Sequence, residues 1–344
     1  YRENIYSNKL QNTILDQSSN STNTGQFLFG RIGFDYLMDN RNSLTLSMSL
    51  PNGEFNSSQV DNIHIDTMSS PVKTQDAIRT TVNKRNFKNF GPALGYKHLF
   101  PKQGRELTAD FNYNTSSNSG SGDYTTQYYN TNGSILGDPA LQRLTSSGSS
   151  TYWTVQSDYT SPVGKGKFES GLRAAVRDNK NVNDNAAFDY DLNKFIIIPS
   201  ASSNYKYTDE VYAAYSTYSN KLGENFSYQL GLRAESSQYR GTLLSTGETF
   251  SNKYPIEFFP SVFVTQTLSP GQDMQLNYSR RINRPNFWQQ IPYYDVSDLL
   301  NIRVGNPGLK PEFTNSFELN YSKSLGSGHS LLTSAYFKQT NNLI

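Results

Sequence analysis

The chain has 344 residues, with 31 Lys and Arg against 29 Asp and Glu, and a net charge of +2 gives no footing for nucleic acid or an acidic partner. Aromatic residues at 13% exclude the disordered class, while charged residues at only 17% leave the water-facing surface to Ser, Thr, Asn, Gln and Tyr. With no cysteine, disulfides, thiolate metal sites and cysteine nucleophiles are excluded.

The chain opens on YRENIYSNKL, without the basic start and apolar run of a secretory signal, and ends on FKQTNNLI in mid-pattern. Residues 1–344 are therefore expected to be an interior portion of a longer protein, incomplete at both ends. The longest aliphatic run, Phe195 to Ile198, is too short for a membrane helix, so any crossing is made by strands. After an opening run near 3–15, period-two alternation recurs along the chain. It places Leu44, Leu46, Met48 and Leu50 on one face, then Leu107, Ala109, Phe111 and Tyr113. Phe168, Ser170, Leu172, Ala174 and Val176 oppose Glu169, Gly171, Arg173, Ala175 and Arg177. Phe226, Tyr228, Leu230, Leu232 and Ala234 oppose Ser227, Gln229, Gly231, Arg233 and Glu235. Met274, Leu276, Tyr278 and Ile282 form a further face, as do Phe313, Phe317, Leu319 and Tyr321. Alternation this regular means sheet with one apolar and one polar face.

Tight turns are expected at 38–42, 100–106, 161–167, 221–225, 268–273 and 325–330. Between them lie polar stretches near 59–85, 117–148, 179–204, 241–253 and 284–311, with the composition of solvated loops and room for strand extensions. Soluble sandwiches also alternate, but with a turn signal every ~8–12 residues, whereas these runs continue for roughly 11–15. Short turns at one end and long loops at the other describe a transmembrane β-barrel. Tyr36, Phe100, Tyr159, Tyr218 and Phe226 supply aromatics at the turn end, and Trp153, Tyr205 and Phe258 at the loop end. The expected fold is all-β, an antiparallel transmembrane barrel of which roughly thirteen strands are seen. Complete bacterial barrels have an even count and no open edge, so further strands are required.

The stretches NYSRRINRPNFWQQIPYY and NIRVGNPGLKPEFTNSFELNYS resemble the C-terminal barrel region of TonB-dependent receptors and the related outer-membrane β-barrel family. The resemblance is sharp over about residues 272–344 and architectural elsewhere. In that family a strand ending in Arg-x-Pro leads to a loop closed by Gly-Asn-Pro-x-Leu-Lys-Pro-Glu. Arg281 or Arg284 with Pro285, and Gly305, Asn306, Pro307, Leu309, Lys310, Pro311 and Glu312, match those positions. The resemblance implies a 22-stranded barrel with an N-terminal plug, TonB-energised uptake of a ligand, and a place in the bacterial outer membrane. Its partners are then lipid, the TonB system through the plug, and a surface lipoprotein or other outer-membrane subunits; nucleic acid is not among them. A non-transporting structural or assembly subunit built on the same barrel is the alternative. The motif itself reads as a structural clamp with a lumen contact. Pro307 and Pro311 fix φ, Gly308 takes a left-handed turn, and Glu312 answers Lys310 or an arginine such as Arg281 or Arg303.

An enzyme is not expected, and no catalytic, cofactor-binding or metal residue is assigned. His98 and His329 sit beside short turns. His64, near Asp61 and Asp66, and the run holding Asp178, Asp184, Asp189 and Asp191 read as polar strand or loop. The latter lacks the glycine and terminal Glu of an EF-hand loop. Arg173, Arg177, Arg233 and Arg281 are expected on the lumen among Glu169 and Glu235.

Overall fold

Alternation and turn chemistry together produce a single meandering antiparallel sheet. A computed structural model describes residues 2–7, 12–67, 73–291, 294–295, 303–326 and 328–344. Seven strands come first: β1 (Arg2–Ser7), β2 (Asn12–Leu37), β3 (Asn42–Thr67), β4 (Lys73–Leu99), β5 (Glu106–Tyr129), β6 (Ala140–Val163) and β7 (Gly166–Asp189). A short β8 (Lys194–Ile197) doubles back on β7, and a 3₁₀ turn follows at Pro199–Ala201. The meander resumes with β9 (Ser203–Leu222), β10 (Phe226–Leu243), β11 (Thr249–Ser269) and β12 (Gln272–Asn283). An insertion holding α1 (Phe287–Gln290), β13 (Tyr294–Asp295) and β14 (Arg303–Val304) precedes β15 (Glu312–Gly326) and β16 (His329–Asn341). Thirteen strands pair in chain order, with β8 beside β7 and β13–β14 set apart.

Each of the six tight turns stands where its local chemistry puts it. Asp39 accepts from the backbone N–H groups of Arg41 (2.7 Å) and Asn42 (2.8 Å), closing the β2–β3 turn. Gly164, Gly223 and Gly271 take φ of 61°, 69° and 74°, a region that disfavours other residues.

The register carries the apolar face unbroken from strand to strand. Phe34, Leu46, Leu94, Phe111, Val155 and Ala174 stand side by side across β2 to β7. Phe168, Tyr218, Leu230, Val262, Tyr278, Phe317 and Phe337 continue the band from β7 to β16. Much of this face is left uncovered by protein: Phe34 is 64% exposed, Leu230 48%, and Leu172, on the same face of β7, 64%. A contiguous apolar surface of this extent is solvated by lipid, not water. No helix among the described residues is long and apolar enough to cross a membrane, so the crossing is made by strands. The opposite face is polar. Asp110, Gln156, Arg173, Ala213, Glu235 and Glu257 form one row across it.

Strand length departs from expectation. β2 to β7 run for 24 to 27 residues, and much of 59–85, 117–148 and 179–204 is ladder. The polar run at 117–129 pairs with both β4 and β6, and the connection between β5 and β6 is only 130–139. Backbone hydrogen bonds, not side chains, hold such a segment, so Ser, Thr and Asn extend a strand whenever neighbours extend beside it. At ~3.3 Å per residue and a tilt near 40–45°, a 26-residue strand rises about 60 Å. The hydrocarbon core is ~30 Å thick, so about half of each long strand forms a polar wall beyond it. The membrane-spanning part is the ~9–11 residues next to each short turn.

Candidate functional site: the insertion on the lumenal wall

Above the membrane, β9, β10 and β11 turn tyrosines onto the polar face. Tyr205, Tyr207 and Tyr239, with Leu243 and Ile291, form the buried hydrophobic cluster, each 2–8% exposed, and Phe250, Tyr254 and Phe287 pack around it. Tyr205 therefore belongs to the lumenal wall and not to a lipid-facing belt. Its parity is that of Tyr207, opposite to the outward Tyr212 and Tyr218.

Onto this cluster folds the insertion between β12 and β15. Its helix α1 is closed by a capping box in which the Asn286 side chain accepts from the Gln289 N–H and the Gln289 side chain accepts from the Asn286 N–H. The helix thrusts Phe287 against Tyr205 (centroids 4.1 Å apart) and Tyr207 (4.8 Å). Gln290, 1% exposed, donates to the Pro285 carbonyl at 2.5 Å. The returning arm is tied to both α1 and the wall. Asn306 donates its N–H to the Gln289 carbonyl (2.7 Å), Tyr239 Oη donates to the Pro307 carbonyl (3.0 Å), and Tyr254 Oη to the Leu309 carbonyl (3.2 Å). Burial pushes the Tyr207 and Tyr254 phenols far up, so Tyr254 remains a protonated donor at any physiological pH.

Beneath the aromatic cluster lies a charged layer. Arg233 donates to one Glu235 carboxylate oxygen from Nε (2.8 Å) and Nη2 (2.6 Å), and Arg284 takes the other. Arg284 also donates through Nε to Ser237 Oγ (3.0 Å). Glu235, with only 5% of its side chain exposed, thus joins the wall to the root of the insertion. Burial raises the nearby Asp209 carboxyl, against the pull of Arg177 and Arg284. Lower still, Gln156 donates to Asp158 (2.8 Å) and Tyr215 reaches the same carboxylate. The reach passes over Gly171, where a Cβ would lie 2.5 Å from the Tyr215 ring.

The motif residues distribute unevenly over this architecture. Arg284, Pro285, Asn306, Pro307 and Leu309 touch the wall or α1, and Pro311 is buried, its carbonyl accepting from Asn342 (3.4 Å). Gly305 leads into the turn, half-buried, and Lys310 is exposed. Arg281 is exposed on the lumenal face opposite Thr314, apart from Glu235. Two expectations are corrected. Gly308 is not left-handed; its N–H donates to Asn306 Oδ1 (2.9 Å), so an asparagine side chain makes the bend. Glu312 answers no arginine or lysine: it accepts from Asn283 Nδ2 (2.8 Å) and the Ile344 N–H (2.7 Å), which hold its carboxyl below the usual range. Asn301 and Ile302, which open the quoted stretch NIRVGNPGLKPEFTNSFELNYS, lie outside the described residues. What sequence reasoning missed is the tyrosine cluster and the Arg284–Glu235 pair. The alternation of Tyr205 and Tyr207 is the signal in the sequence, but their face follows from the parity of Tyr218 only because β9 is continuous from Ser203 to Leu222.

The remaining polar clusters are structural in geometry. Glu169 is paired by Lys167 (2.6 Å), Asp178 accepts from Thr208 (2.6 Å), and His98 meets Asn42 (2.6 Å). No group of three or more His, Asp or Glu among the described residues is arranged to hold a metal ion. His64 lies 2.5 Å from Asp76 and 3.3 Å from Asp66, while Asp61 instead accepts from Ser19 and Gln59. The hydrogen bond to Asp76, then the charge of Asp66, raises the His64 pKa above 6.5. A raised folded-state value means the pair stabilises the fold fully below the unfolded pKa and loses that contribution as pH rises through the folded one. NMR titration of His64 should give a midpoint above 6.5, and Asp76→Asn should lower it. An unchanged midpoint in that variant would remove Asp76 as the cause.

A family model described as the outer membrane protein beta-barrel family matches residues 98–344. Among solved structures, the siderophore receptor PiuA from Acinetobacter baumannii superposes with TM-score 0.53 at 10% identity, covering 94% of this chain and 56% of that one. The copper transporter OprC gives 0.53 at 10% identity, covering 95% and 54%. The unliganded ferric citrate transporter FecA gives 0.52 at 11%, covering 94% and 52%. The chain thus spans about half the length of these structures, and at such identities the likeness is one of fold. None of the curated proteins matches the chain.

Proposed function

The chain belongs to the outer membrane protein β-barrel family of the bacterial outer membrane, and from that premise we propose that it is the barrel wall of a receptor-type transporter. In this reading ligand enters through the tall polar vestibule made by the strand extensions, and uptake is energised by TonB through a plug. The observation that carries the reading is the insertion folded onto the lumenal face, anchored by Tyr239, Tyr254 and Glu235 above the bilayer. A vestibule that recognises a ligand needs rigid, hydrogen-bonding walls. The fold it shares with siderophore, copper and ferric citrate receptors supports the same reading. Residues 1–344 then serve as one portion of a larger barrel. β1 and β16 end the sheet without pairing with each other, and open edges cannot stand in lipid. The motif from Gly305 to Glu312, with Arg284 and Pro285, acts as a clamp: packing of Leu309 and Pro311 and the fixed proline backbone hold the insertion.

The test is capture of the full-length protein by the periplasmic domain of TonB. Site-specific cross-linking should join the two in cells, and ligand-dependent uptake should cease when TonB is deleted. A full-length protein that neither cross-links to TonB nor changes solute uptake on its own deletion would leave the structural-subunit reading in its place.

A further inference from the structure

Just above the lipid-facing band, the outward side of the wall changes from apolar to basic. On β7, Val176 is the last large apolar residue before Lys180, and on β9 Tyr212 precedes Lys206. The ladder sets Lys180 directly opposite Lys206, Arg240 opposite Thr208, and Lys253 opposite Gln238. All four cations are exposed and share the parity of the outward face. They span three strand intervals, about 15 Å at ~4.8 Å per strand, within reach of one another's flexible side chains.

Two like charges placed directly opposite across a ladder repel, and such pairs are normally relieved by a carboxylate. Among the described residues Lys180, Lys206 and Lys253 carry no ion pair. Two carboxylates share this face, and neither reaches a lysine. Asp178 accepts from Thr208 (2.6 Å), and Glu210 accepts from Gln238 (2.6 Å), Arg240 (3.0 Å) and Tyr212 (3.2 Å). The patch therefore sets four cations against two carboxylates, with Arg240 paired to Glu210 and the three lysines in no ion pair, a net excess of positive charge continuous with the apolar band. At ~3.3 Å per residue and the barrel tilt, the four residues from Val176 to Lys180 lift it about 10 Å above the aromatic edge, the level of lipid head groups.

We propose that Lys180, Lys206, Arg240 and Lys253 form a binding site for the phosphate groups of an anionic glycolipid of the outer leaflet. The acyl chains would lie along the band below, against Tyr212 and Phe258, and the phosphates would bridge the opposed lysines. Arg240, positioned by Glu210, supplies a planar donor fork, and the lysines supply mobile point charges. Annular lipid is then recognised and not merely tolerated at this sector of the wall.

The experiment uses the full-length protein in phosphatidylcholine vesicles containing bisphosphorylated lipid A, dephosphorylated lipid A or neither, with retained glycolipid measured by native mass spectrometry after extraction. The wild type should retain the bisphosphorylated form selectively. Lys180→Gln/Lys206→Gln/Lys253→Gln should lose retention by about fivefold for each lysine removed, and the triple Lys→Arg variant should keep it. If the triple Gln variant does not fold, single Lys180→Gln gives the same reading at one-lysine size. In glycolipid-free vesicles that single change should also raise stability, by relieving the repulsion. Equal retention of dephosphorylated lipid, or undiminished retention by the Gln variants, overturns the proposal. Displacement of the glycolipid by millimolar inorganic phosphate overturns it too, marking a soluble-anion site.

Discussion

Leu172→Arg should lower the stability of the full-length barrel in lipid by about 2–4 kcal/mol. Leu172 lies midway along the membrane-spanning part of β7, opposite Ala214, and is 64% exposed. In water an exposed leucine replaced by arginine would cost almost nothing, which makes the substitution a test of the solvent. In a bilayer the guanidinium must be dragged into hydrocarbon or must thin the leaflet around it. Leu230→Arg, on the same band and 48% exposed, should behave alike. Gln229→Arg, on the opposite face of the same strand, should cost less than 1 kcal/mol because the lumen is polar. Reversible urea unfolding in phospholipid vesicles measures all three. Equal, small effects for Leu172→Arg and Gln229→Arg would show that the apolar face does not meet lipid.

Glu235→Ala should be the most damaging change on the lumenal wall, at about 2–3 kcal/mol. It removes the one carboxylate shared by Arg233 and Arg284 and leaves both guanidiniums without their partner. Breaking a fully buried pair costs ~3–5 kcal/mol, but the two arginine side chains are 34% and 27% exposed, so water recovers part of the loss. The change should also loosen the insertion specifically. Amide exchange at 284–291 should speed up severalfold, while exchange in the paired centre of β5 stays as it was. Glu235→Gln, which keeps the volume and one acceptor, should cost about half as much. If Glu235→Ala leaves both the unfolding midpoint and exchange in α1 unchanged, the carboxylate is not what anchors the insertion.

Much of the architecture was legible because it depends on local chemistry. The six tight turns announce themselves through Gly, Pro, Asp and Asn, residues whose backbone preferences do not await distant partners. The lipid-facing band was legible at Leu172, Leu230 and Leu276 because a strand's side-chain period of two is set by bond geometry alone. The motif from Gly305 to Glu312 marked the clamp, since Pro307 and Pro311 fix the backbone whatever surrounds them.

What escaped sequence reading depends on partners brought together by the ladder. The run from Ser117 to Tyr129 has the composition of a loop, yet it is strand because β4 and β6 extend equally far on either side. Glu312 has arginines near it in sequence, but the register sets it opposite Asn283 instead. Tyr205 could be assigned to lipid or lumen only once β9 proved continuous from Leu222 to Ser203, which fixes its parity with Tyr207. Arg284 finds Glu235 only because β12 ends at the height where β10 carries that carboxylate inward. Turn positions and the apolar face follow from each residue's own stereochemistry. Strand length and ion pairing follow from register, a property of neighbouring strands that no single segment contains.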